Sequence, residues 1–143
     1  MLKTVRHAIE LHDDALDFTV AEGIVRFDEF TGDERKGREF FETTYITDGL
    51  DALLRGATTR LAGKNTNASF HLKQAMGGGK THSIAALAFL ARHPNLRNEI
   101  LPDLPAAREF NSIRFAAFNG RERPENFMWG HIVQQLGGEE FLA

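Results

Sequence analysis

Residues 69–90, SFHLKQAMGGGKTHSIAALAFL, constrain the fold more than any other stretch of the chain. A short apolar run, Ser69 to Lys73, leads into three consecutive glycines, and an amphipathic segment follows from Lys80-Thr81. That order predicts strand, tight loop, helix. Glycine takes positive φ at no steric cost, so Gly77, Gly78 and Gly79 allow the backbone to aim its N–H groups at one point. A helix opening at Lys80 adds four unpaired N–H groups and the positive end of its dipole at the same point. Such an arrangement holds an anion. In this reading the Lys80 ammonium reaches the β- and γ-phosphates of a nucleotide, and the Thr81 hydroxyl ligates Mg²⁺.

The segment Gln74-Ala75-Met76-Gly77-Gly78-Gly79-Lys80-Thr81 meets the Walker A pattern G-x-x-x-x-G-K-[ST] except at its first position, where Gln74 stands for glycine. Gly77 and Gly78 offer the missing freedom three residues later. The departure leaves the loop's shape open and leaves the lysine and hydroxyl in place. The expected ligands are ATP and Mg²⁺, held by residues 74–82, with Lys80 as the catalytic residue and Thr81 as the metal ligand. His82, on the first turn of the helix, senses phosphate or metal in one reading; in the other it is a solvent-facing or capping histidine. The plain alternative for the whole stretch is a glycine-rich hairpin followed by a surface helix.

Composition narrows the classes further. A chain of 143 residues, 42% hydrophobic and 26% charged, is ordinary for one soluble globular domain. Residues 1–60 carry 8 Lys/Arg against 13 Asp/Glu, whereas residues 61–143 carry 9 against 7, so the glycine loop lies in the basic part. Without cysteine there is no disulfide framework and no thiolate chemistry or zinc site. No apolar run suits a signal peptide, and no window approaches the roughly 18 apolar residues of a membrane span. A cytoplasmic protein is the default.

Residues 1–36 form a leader. Val5, Ala8, Ile9, His12 and Leu16 share a possible helical stripe, or Leu11 to Phe30 packs as a looser segment. His7, His12, Asp13 and Asp14 lack metal-ligand spacing and read as a solvated acidic face. Thr31 to Gly37 is a polar turn. A helix then carries Phe40, Phe41 and Tyr45. Thr47 or Asp48 caps a second one with Leu50, Leu53, Leu54, Ala57 and Leu61 at helical spacing, ended by Gly63. The helix Lys80 to Arg92 closes at His93-Pro94, and a short helix near Leu96 to Leu101 follows among prolines.

Ile113 to Phe118, IRFAAF, reads as a second parallel strand buried on both faces, with the loop Asn119 to Pro124 at its carboxyl end. Phe127 to Leu136 reads as a helix with Trp129, Ile132, Val133 and Leu136 inward. The fold class expected is α/β: an incomplete parallel sheet of the P-loop NTPase (AAA-like) type over residues 37–143, with flanking helices. No apolar strand after Lys80 ends in the aspartate of a Walker B site, and only 63 residues follow it. The expectation is the N-terminal piece of a longer ATPase, cut before Walker B.

Three blocks carry a family resemblance. Phe40-Phe41-Glu42-Thr43-Thr44-Tyr45-Ile46-Thr47-Asp48-Gly49-Leu50 and Gly77-Gly78-Gly79-Lys80-Thr81-His82 resemble the FF-x-x-TY-x-T-x-GL and GGGKTH motifs of a family of large prokaryotic P-loop ATPases of unknown function. Trp129-Gly130 followed by Gln135-Leu136-Gly137 is similar to that family's later WG…QLG helix. The likeness spans roughly residues 37–138; the first 30 match poorly. That family has an AAA-like motor domain and is often encoded beside DNA methyltransferases and nucleases in phage-defence gene clusters. The resemblance implies ATP and Mg²⁺ binding, hydrolysis in the full-length protein, partners among DNA-modification or defence proteins and DNA, and a possible homo-oligomer.

Other residues have two readings each. Tyr45 to Leu50 line an adenine pocket or form a helix–helix turn. Asn119 contacts nucleotide or favours a turn. Arg121 and Arg123 reach a phosphate or form loop salt bridges. Trp129 reads as core, and His71 as a core or edge histidine. Against the ATPase stand two rivals: a P-loop small-molecule kinase fragment, and a hydrolysis-incompetent nucleotide-binding or docking module.

Overall fold

The computed structural model describes residues 30–73, 77–118 and 128–137. Helices α1 (Glu34–Glu42), α2 (Asp48–Leu61), α3 (Lys80–Arg92), α4 (Pro94–Ile100) and α5 (Met128–Gly137) follow one another, with a 3₁₀ turn at Pro105–Arg108 before α5.

The helix ends follow from local chemistry. Asp33 caps α1 by accepting the Arg35 N–H at 2.9 Å, so that helix starts three residues before the expected Gly37. Thr47, not Asp48, caps α2 through its hydroxyl, which accepts from Leu50 N–H at 3.2 Å. At the other end Gly63 takes φ 74°, its N–H meets Arg60 O at 2.9 Å, and Lys64 N–H meets Thr59 O at 3.0 Å. That pair of bonds is a Schellman closure. Pro94 lacks an N–H and sits at the first position of α4, where none is needed.

Helix α3 runs through the middle, with Ala85, Ala86, Ala88, Phe89, Leu90 and Ala91 buried. Its alanines allow α1, α2 and α4 to close on it. The core joins Phe41 of α1, Leu50 and Leu54 of α2, Phe89 and Leu90 of α3, and Leu96 of α4. Gly37 marks the closest approach: a Cβ there would stand 2.6 Å from Leu96 Cδ2 and 2.9 Å from Phe89 Cδ1.

Among the described residues one core side chain is charged. Arg97 is 1% exposed and donates from Nε to Ala107 O at 2.7 Å, from Nη1 to Leu90 O at 2.9 Å and from Nη2 to Phe110 O. The guanidinium lies 3.6 Å over the Phe110 ring. It ties the end of α3 to the chain after the 3₁₀ turn.

The described residues contain no strand, which overturns the expected α/β parallel sheet and with it the P-loop NTPase (AAA-like) fold. Both supposed strands lie without a ladder partner and contact helices instead. Phe70 lays its ring over Gly56 of α2, with Cε1 3.1 Å from where a Cβ would be, and the preceding loop is pinned by Asn65 Nδ2 donating to Gly56 O at 3.3 Å. In the second segment Ile113 N–H reaches Ala91 O at 2.9 Å. The side-chain amide of Gln135 brackets Ala117, Oε1 accepting its N–H at 3.0 Å and Nε2 donating to its carbonyl at 2.8 Å. Arg114 Nη1 donates to Leu136 O. A strand needs a ladder partner; the second segment bonds instead to α5 and to Ala91 O.

Candidate functional site: the glycine loop and the first turn of α3

Gly77 and Gly79 both take φ 78°, a left-handed backbone that a side chain would strain. Thus the loop turns at Gly77 and Gly79 rather than at Gly77 and Gly78. Gly79 is the N-cap of α3, and among the described residues no side chain caps that end. Ser83 closes the first turn, its N–H on Gly79 O at 2.9 Å and its hydroxyl on the same oxygen at 3.0 Å. Among the described residues nothing lies within 4 Å of a Cβ built on Gly77 or Gly79. Lys80 is the first residue of α3 and half-buried, and Thr81 is exposed. Gln74, Ala75 and Met76 lie outside the described residues.

His82 faces α1. Its ring stacks on Phe40 with centroids 4.3 Å apart and planes 26° apart, and Nε2 lies 2.9 Å from Thr44 Oγ1. Thr44 donates its own proton to Phe40 O at 2.5 Å, so its oxygen accepts from an Nε2–H. Partial burial lowers the His82 pKa and so favours the neutral ring, and the Thr44 contact sets its proton on Nε2. The histidine is therefore not a helix cap; it stays exposed on one side while the other side of its ring lies on Phe40. It joins the Phe40–Thr44 block to the Lys80–His82 block, two stretches 38 residues apart. Both blocks are visible in the sequence, but nothing in either marks that they meet. The nearest signal is the aromatic pair Phe40-Phe41 one turn before Thr44, facing an unassigned histidine.

Other candidates fall elsewhere. Thr47 serves as the cap of α2, and Tyr45 is 86% exposed. His71 is exposed rather than a core or edge residue, since the strand that would bury it does not form. Trp129 is 65% exposed and is not core; α5 is held by the polar contacts of Gln135 and Leu136 instead. Asn119, Arg121, Arg123, His7, His12, Asp13 and Asp14 lie outside the described residues. Among the described residues no group of His, Cys, Asp or Glu is placed to hold a metal ion, and no helix is long and apolar enough to cross a membrane.

The described chain is thus a helical domain whose central helix opens on a glycine loop. It belongs to the DUF499 family, whose N-terminal domain matches residues 3–106. The match includes the Phe40–Leu50 and Gly77–His82 blocks and part of the leader, and it ends before the Trp129–Gly137 block. No curated protein and no solved structure matches the chain.

Proposed function

We propose that the loop at residues 74–82 binds the phosphates of ATP with Mg²⁺, and that hydrolysis in the full-length protein drives a DNA-associated defence or modification complex. The observation that carries the phosphate part is the N-terminus of α3: it follows a left-handed glycine, and among the described residues no side chain caps it and none crowds Gly77 or Gly79. The residues present suit the ligand. Backbone N–H groups of the first turn complement negative charge. Lys80 supplies a cation at the start of the helix, and the Thr81 hydroxyl is exposed to ligate a hard cation. Bound Mg²⁺ would neutralise phosphate charge and polarise the phosphoryl oxygens. Lys80 would stabilise charge developing on the transferred phosphoryl group.

A second reading is favoured by the helical surroundings. Among the described residues no strand brings a carboxylate to the loop, which suits a nucleotide-binding or docking module without hydrolysis. Phosphate release from ATP by the full-length protein, with Lys80→Ala as control, separates the two. Turnover that Lys80→Ala abolishes supports the ATPase. MgATP binding with no turnover supports the docking module, and the same turnover in both proteins refutes the role given to Lys80.

A further inference from the structure

We infer that His82 is a positioning residue: its ring, seated on Phe40 and hydrogen-bonded to Thr44, ties the first turn of α3 to α1, so that Lys80 and Thr81 meet a phosphate from a fixed base. The inference rests on the phosphate reading given above.

Burial along α3 is uneven. From Ala85 to Ala91 nearly every residue is packed into the core, whereas Thr81, His82 and Ile84 are exposed. The apolar packing that fixes the helix therefore stops one turn short of the end that would touch the ligand. Helix ends fray unless tied, and Gly79 has no side chain with which to tie this one. Phe40 carries the core outward. Its ring lies 5.3 Å from buried Phe89 and 4.3 Å from His82, two residues that share a face of α3 because seven positions make nearly two turns. Thr44 completes the clasp, with its hydroxyl oriented by its bond to Phe40 O. A ligand held by Lys80 and Thr81 needs those groups in place before it arrives, and preorganisation of that kind appears as affinity.

The test is calorimetric titration of the full-length chain with MgATP, using Lys80→Ala, His82→Phe, Thr44→Val, the His82→Phe/Thr44→Val double variant and Thr44→Ser, with a thermal melt of each. His82→Phe keeps an aromatic ring on Phe40 and loses the bond, and Thr44→Val removes the acceptor. Each is expected to weaken MgATP about fivefold, the worth of one hydrogen bond, with the double variant no weaker than either single. Thr44→Ser keeps the hydroxyl and is expected to stay within about twofold of the wild type. A purely structural role would lower the melting temperature of the variants without this pattern of affinities. If His82→Phe melts early, the Thr44→Val and Thr44→Ser pair decides. Wild-type affinity in both His82→Phe and Thr44→Val, with binding still lost in Lys80→Ala, overturns the clasp and leaves the phosphate reading standing. A wild-type chain that takes up no MgATP overturns both.

Discussion

Replacing Arg97 with methionine tests the packing account where it departs most from the usual rule of apolar interiors. The side chain is 1% exposed, its guanidinium serves three carbonyls, and among the described residues no carboxylate pairs with it. Burial lowers its pKa, although arginine stays charged. Methionine fills a similar volume but leaves Leu90 O and Ala107 O buried and unpaired, at about 1–3 kcal/mol each. Loss of the contact with the Phe110 ring adds about 1 kcal/mol, and removing a buried charge offsets part of the total. The net expectation is a loss of about 3 kcal/mol, a large share of the roughly 5–15 kcal/mol that holds a domain folded. In a urea titration with a slope of about 1.5 kcal/mol/M, the midpoint falls by about 2 M. Arg97→Lys keeps the charge, loses the fork and falls between the two. A midpoint for Arg97→Met within about 0.5 M of the wild type would refute the reasoning, because the orphaned carbonyls would then cost nothing measurable.

Gly37→Ala introduces a Cβ 2.6 Å from Leu96 Cδ2, so it should destabilise the fold by about 2 kcal/mol despite alanine's better helix propensity; a urea midpoint at or above the wild type's sinks this. Thr47→Ala removes the cap of α2 and should cost about 1 kcal/mol in the same assay, with no loss expected only if the cap is unformed. Hydrogen bonding from Arg55 holds the Asp103 carboxyl below its ordinary value. Its contribution is therefore present above the unfolded pKa of about 4 and lost as pH falls through the folded value. Melting curves of wild type and Asp103→Asn should differ at pH 7 and converge on acidification; a gap that widens instead would contradict the pairing.

The helices were legible because their signals are local. Thr47, the leucines of α2, Gly63, Lys80 and Pro94 each act within a few residues, and α2 and α3 begin and end where those residues place them. The absence of a sheet is not legible because an apolar run has no local mark that separates a strand from an irregular segment lying on helices. Ile113 to Phe118 meets the side-chain amide of Gln135 and the carbonyl of Ala91, and neither partner can be read from the run itself. Arg97 is illegible for a related reason: its burial depends on three distant carbonyls. The site was half legible. Gly77, Gly79 and Lys80 show themselves by spacing, whereas the clasp of His82 with Phe40 and Thr44 depends on how α1 crosses α3.

The central claim is that the start of α3 recognises phosphate. Calorimetric titration of the full-length chain with MgATP and with adenosine, for wild type and Lys80→Ala, tests it most directly. The account predicts that the wild type binds MgATP and not adenosine, and that Lys80→Ala weakens MgATP by at least about tenfold. Equal affinity of wild type and Lys80→Ala for MgATP, or adenosine binding as tightly as MgATP, would contradict it.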